Sequence, residues 1–447
     1  MLAQNNRRRI NGFTMLETIV ALGVLSMFFG AITVILQTVL TNIGESRVRT
    51  TALSLAQTKM ELIRNLPYAS VGTSGGIPTG PIPQNEVVAV NGLDFTVTTS
   101  IIYIDDEFDG VAPADVTNAD YKRARVEITW NGLYPSRVPI TLVTNIAPKG
   151  IETVVGGGTL FIQVFDANGL PVSNATVKID NAQVTPQIHT QTLTNANGLV
   201  ILPGYPACVT CYRIEASKSG FSSSRTYATS ELANPLQPDL TVLEGEVSQL
   251  SFAIDRVSSL VVNSVGSGPT YPPVSFVLFT LRGTKIIGYD ALDEPVYKYT
   301  FSTNTGGGTV SIPALEWDSY MLDFSSSYHN LAGSNPIIPL ALTAGTAVTV
   351  NVVAEPKTNR SLLLLVKNAA AELQASAAAR LVNSGVSYDT TKYTAATGSA
   401  DFGHVYFGGL TPGDYELTLT LSGYQDATAS YSINSNRQET TIMNLSE

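Results

Sequence analysis

From Thr18 to Leu40 the chain runs without a single charged residue, far enough to cross a ~30 Å hydrocarbon layer as a helix rising ~1.5 Å per residue. A basic cluster, Arg7-Arg8-Arg9, comes before it, and the small residue Gly12 lies between cluster and run. A secretory signal peptide carries its small cleavage residue after the apolar stretch, so the order of parts here is inverted. The arginines place the N-terminus on the cytoplasmic side, which directs the bulk of the chain outward.

Glu17 stands at the head of this segment, where a carboxylate is costly and is functional by default. Cleavage between Gly12 and Phe13 would create a free ammonium four residues before Glu17. In a bundle of such helices, the carboxylate of one copy can neutralise the terminus of the next. Burial strengthens that pairing and penalises a wrong register.

The run Arg9-Ile10-Asn11-Gly12-Phe13-Thr14-Met15-Leu16-Glu17 resembles the cleavage and methylation motif of type IV prepilins. The family pattern is a basic leader, Gly, Phe-Thr-x-x-Glu and a long apolar helix, with Met15 where the family often has Leu. The resemblance implies that a prepilin peptidase cuts after Gly12 and methylates the amine of Phe13, and that Glu17 serves assembly. It also implies other pilin subunits and an inner-membrane assembly platform as partners. The precursor is then expected in the cytoplasmic membrane, crossing once with its C-terminal region outside, before assembly into a surface filament.

Past the apolar run, Leu53, Ala56, Met60 and Ile63 continue a helical stripe, and Leu66-Pro67 is expected to end the helix, because proline disfavours helix at the residue before it. The passage from Ala56 to Tyr68 also resembles the helix-to-loop segment of minor pilins and pseudopilins. After a Gly/Pro-rich loop (72–83), alternating stretches at 95–103, 123–130 and 138–144 read as strands, and Asn131-Gly132 as the turn of a hairpin between the last two.

Lys149 to Gly158 reads as a linker, and a weak repeat follows. The first unit closes with Tyr212-Arg213-Ile214-Glu215-Ala216 and Lys218-Ser219-Gly220-Phe221. The last echoes it with Tyr415-Glu416-Leu417 and Leu421-Ser422-Gly423-Tyr424, and a diverged middle unit shows Trp317-Asp318-Ser319-Tyr320-Met321-Leu322. Short alternating strands between turn residues imply small β-sandwiches, and a repeat of roughly 95 residues implies tandem domains rather than a solenoid. The first and last units resemble carboxypeptidase-regulatory-like, or transthyretin-like, modules, which are non-catalytic. Ala369 to Leu381 is alanine-rich and is compatible with either a short helix or strand and loop.

The expected fold class is an α+β pilin-like N-terminal region, a long helix plus a small antiparallel sheet, followed by tandem all-β sandwich domains. The expected boundaries are a leader at 1–12, helix at 13–66, head at 67–148 and linker at 149–158. Modules are expected at 159–254, 256–355 and 360–447.

Composition narrows the function. Charged residues make up only 14% of the chain and the formal net charge is −10, so no basic surface signals a direct nucleic-acid partner. His189, His329 and His404 are far apart, with no His-Glu-x-x-His and no phosphate-binding Gly-Lys-Ser/Thr loop. Gly72-Thr73-Ser74-Gly75-Gly76 matches the nucleophile-elbow pattern but lies in a loop after a helix rather than between strand and helix. No enzymatic activity is expected, and no cofactor beyond one open calcium reading. Asp105, Asp106, Glu107 and Asp109 offer carboxylates on one loop, as a hard cation requires. Their spacing departs from an EF-hand, and a solvated acidic loop accounts for the same residues. Cys208 and Cys211 read as a local disulfide in preference to a redox pair, and zinc would need two further ligands.

The expected function is a structural subunit of a type IV pilus or related filament, a minor or tip pilin whose modules act in adhesion or spacing. A pseudopilin of a type II-like secretion or DNA-uptake system shares the same N-terminal features. A membrane-anchored surface protein binding a glycan or protein is the reading from a different class. The extracellular ligand is unspecified by the residues.

Overall fold

The structure, a computed structural model, describes residues 15–105, 120–132, 135–136, 138–148, 156–325 and 328–446. Contacts divide the chain into two compact units, one of residues up to Gly156 and one from Gly157 onward, with residues 186–190 and 202–204 grouping with the first.

In the first unit a single helix, α1, runs from Met15 to Arg64. It ends two residues before Leu66, and Pro67 opens a short 3-10 turn at Tyr68–Ser70. Four strands follow: β1 (Asn85–Val90), β2 (Leu93–Ile104), β3 (Tyr121–Trp130) and β4 (Ile140–Ile146). They form one antiparallel meander in the order β1-β2-β3-β4. The expected hairpin is present, with Ile128 opposite Ile140. Strand β1 is an addition, in a stretch after the 72–83 loop to which the sequence assigned no element.

The second half of α1 packs on this sheet through Val48, Ala52, Ala56, Met60 and Ile63. Steps of four and three residues put them on one face. The stripe therefore passes through Ala52, and Leu53, expected within it, is exposed. Small residues at 52 and 56 let the helix approach Val97, Val126 and Ile128 closely in the shared core.

From Gly158 onward the chain forms three sandwiches with the same wiring. In the first, the sheets are 247–253, 158–165, 199–205 and 224–225, 208–217, 176–181, 188–193, with 240–242 also paired to 208–217. In the second they are 309–315, 258–265, 347–356, 329–335 and 300–304, 278–283, 318–323, 340–342. The third has 404–408, 361–368, 436–443 and 388–393, 378–383, 413–420, 427–433. In every module the first strand lies between the last, with which it pairs in parallel, and a middle strand, and that second pairing is antiparallel in the second and third modules. The alanine-rich stretch resolves as loop and strand, Ala378–Asn383, with Ala377 and Ala379 fully buried.

A buried tyrosine at an equivalent place marks each module. The hydroxyl of Tyr212 donates to the carbonyl of Pro206 (2.7 Å), that of Tyr320 to Glu316 (2.9 Å) and that of Tyr415 to Thr411 (3.0 Å). Each ring fills the core while its hydroxyl satisfies the loop leading into its strand. That shared role explains why the Tyr-x-Leu/Ile pattern survives in the diverged middle repeat.

Candidate functional site

The surface of α1 is the feature of this chain with the clearest functional content. From Met15 to Ile43 its apolar side chains stand exposed all round the helix, including Leu22, Phe28, Phe29, Ile35 and Leu40. A helix apolar on every side belongs in a membrane or among other helices. Its few hydroxyls do not disturb that environment. Ser26 donates to the carbonyl of Leu22, Thr33 to Phe29 (2.8 Å), Thr38 to Val34 (2.9 Å) and Thr41 to Gln37 (2.9 Å). Each of these four hydroxyl hydrogens is thereby paired within the helix itself, as a lipid environment favours.

Glu17 is a helical residue of α1. Gly12 and Phe13, the expected processing site, lie outside the described residues, as do Asp106, Glu107 and Asp109 of the calcium reading. Asp105 is buried at the end of β2. Among the described residues, no group of three or more His, Cys, Asp or Glu side chains is placed to hold a metal ion.

Cys208 and Cys211 are disulfide-bonded at the start of the strand Cys208–Ser217. The amide of buried Asn181 donates to the Cys211 sulfur at 3.1 Å. The loop 72–80 is a tight backbone crossing. A Cβ on Gly72 would lie 2.5 Å from the carbonyls of Pro78 and Thr79, and one on Gly80 would lie 2.4 Å from the Gly72 carbonyl. These glycines answer a close approach of chain to chain. His404 is buried, with Nδ1 2.9 Å from the Phe402 carbonyl, and burial holds its pKa below the usual range.

Lys122 is the side chain that sequence reasoning missed. It is 1% exposed, and its ammonium donates to the carbonyls of Tyr68 and Val71, each at 2.8 Å. The same nitrogen lies 4.6 Å from the Tyr68 ring centroid and 5.2 Å from that of Tyr103. The signal was available, because β3 alternates and Lys122 shares the inward register with Ala124, Val126, Ile128 and Trp130. The residue ties the segment leaving α1 to the centre of the sheet.

No family model matches the chain, and no curated protein matches it. Among solved structures, the Bacillus anthracis TIE protein aligns over 82% of this chain and 74% of its own, at 13% identity and a TM-score of 0.19. GBS52, the minor pilin of Streptococcus agalactiae, aligns over 42% and 97%, at 16% identity and a TM-score of 0.17. A streptococcal ancillary pilin aligns over 65% and 99%, at 11% identity and a TM-score of 0.18. Superpositions this loose transfer neither fold nor function to this chain.

Proposed function

We propose that the chain is a membrane-stored filament subunit of the type IV pilin class, a minor or tip pilin that displays its β-modules outside the cell. One observation carries the reading. A single unbroken helix is apolar on every side over its first half and packs its second half on a small antiparallel sheet. The first half suits two environments in succession, the bilayer of the precursor and the helix bundle of a filament. In this reading a prepilin peptidase cuts after Gly12, the amine of Phe13 is methylated, and Glu17 pairs with the new terminus of a neighbouring copy.

The role of the chain is structural rather than catalytic. The modules, of which the first and last resemble carboxypeptidase-regulatory-like domains, extend the subunit and offer surface for adhesion. A second unit this large suits sparse placement in the filament better than dense packing. The test is intact-mass and N-terminal sequencing after co-expression with a cognate prepilin peptidase. A product beginning at N-methylated Phe13, and lost on Gly12 substitution, supports the reading. A chain still beginning at Met1 makes the segment a plain signal anchor and removes the assembly mechanism.

A further inference from the structure

We propose that the three modules are load-bearing, each built to resist tension applied between its ends. The inference is independent of the filament reading, since a chain that escaped peptidase cleavage would carry the same strand ladders.

In the first module, Thr159 faces Val247 at one end of the parallel pair and Phe165 faces Ala253 at the other. The chain therefore enters at one end of the ladder and leaves at the opposite end. The second module repeats this arrangement from Ser259 opposite Ala347 to Val265 opposite Val353. The third does so from Ser361 opposite Asn436 to Asn368 opposite Met443. Tension along the chain then pulls the two strands past each other lengthwise. The bonds of a parallel ladder are evenly spaced, so seven, seven and eight facing residue pairs share the load together. A ladder pulled from one end would instead open one bond at a time.

The joints leave little slack to absorb that tension. Only residues 254–257 separate the first two modules, and only 357–360 the last two. At the first joint, Asp255 accepts from the Ala167 amide (3.1 Å) and Lys298 donates to the Ser223 carbonyl (2.8 Å). Asn234 and Pro235 also pair there with Tyr289 and Gly288. At the second joint, Tyr271 donates to Asp401 (2.5 Å) and Asn330 to the Tyr406 hydroxyl (2.9 Å). Ala332, Val353 and Ala400 form a small apolar cluster beside them.

The head lacks this design, because its entering element is a helix and β4 pairs only with β3 among the described strands.

The experiment is single-molecule pulling of the full chain in detergent micelles, with handles at the two termini. Each module of about 100 residues should announce itself by roughly 300 Å of released chain at ~3.5 Å per residue. All three are expected to rupture after the head. In a variant the second handle is moved to Ser435, in the exposed turn before the last strand, so that both strands of the third ladder are pulled from the same end. Its rupture force should fall at least about threefold as bonds open singly, while the first two modules keep theirs as an internal control. Equal rupture force for the third module in both geometries overturns the proposal. So do modules that rupture before the head when the unaltered chain is pulled, a readout that does not depend on the variant folding.

Discussion

The ammonium of Lys122 donates to the backbone carbonyl of Tyr68 at 2.8 Å and lies 4.6 Å from the ring of that same residue. One cation thus holds both the main chain and the side chain of the first residue after Pro67. A second bond to the Val71 carbonyl fixes the far side of the turn, so the direction in which α1 hands over to the sheet is set from within β3.

Replacing that group tests the anchor. Lys122→Met keeps the length of the side chain but leaves the buried Val71 carbonyl without its donor, at a cost of about 1–3 kcal/mol, while the Tyr68 carbonyl keeps only the Val71 amide at 3.2 Å. The head is expected to melt at a lower temperature, and the amides of Ser70 and Val71 to exchange faster. Unchanged exchange there would show that the anchor contributes nothing.

The pH dependence of the head sets Lys122 against two tyrosines of opposite sign, Tyr68 and Tyr103, both of which burial pushes up. Burial pushes Lys122 down to about 8, so between there and its ordinary 10.5 the unfolded chain holds a proton that the folded one has released. Stability from this group rises with pH across that window. Tyr68 is pushed up to about 12, first by burial, so the unfolded tyrosine ionises from its ordinary 10 while the folded one stays neutral. Stability from this group is lost between those values. Denaturant midpoints of the head should therefore climb from pH 8 toward 10 and decline beyond it. Lys122→Met should abolish the climb and keep the decline.

His404, in the third module, carries the same sign as Lys122 at a lower pH. Burial holds its pKa below 6.5, so the folded state keeps the ring neutral while the unfolded chain protonates it. Its contribution is complete above pH 6.5 and is lost as pH falls below that value. A melt of the full chain at pH 5 should show the last module destabilised relative to pH 7.5. His404→Gln should flatten that difference, and an equal drop in the variant would assign it to other groups.

The buried tyrosines can be tested one by one. Tyr212→Phe, Tyr320→Phe and Tyr415→Phe each remove one hydroxyl and leave the core volume intact. Each loss leaves a loop carbonyl unpaired, an expected cost of about 1–3 kcal/mol, read as a lower melting transition of that module alone. Equal melting of all three variants and the parent would reduce the shared hydroxyl to an ornament of the repeat.

Much of this architecture is visible in the residues because its signals are local. The apolar run of α1, the proline that ends it and the alternation of β2 and β3 each depend on neighbours a few positions away. Strand β1 escaped because Asn85–Val90 is short and follows directly on a loop rich in glycine and proline. The helical stripe was misplaced at Leu53 because a bulky apolar residue outranks alanine on any hydropathy reading, whereas close packing on a sheet selects the small Ala52. Nor does periodicity report which strands pair across eighty or more residues. Thr159 and Val247 face each other, and nothing near either residue says so. The acidic loop and the Gly12-Phe13 junction lie outside the described residues and rest on the sequence alone.

The four-residue connectors also bear on how such a chain changes over generations. A repeat strung on long linkers can be duplicated, lost or exchanged with little effect on its neighbours. Here Asp255 is bonded into the module before it, and Asn330 reaches Tyr406 in the module after it. Gly333 has no space for a side chain, since a Cβ there would lie 2.5 Å from that of Asp401. A recombinant that exchanged one module would inherit only half of each such fit. The middle module must match two partners where the others match one within the series. Its sequence has drifted furthest from its siblings, as expected of a part shaped by its neighbours more than by its ancestry.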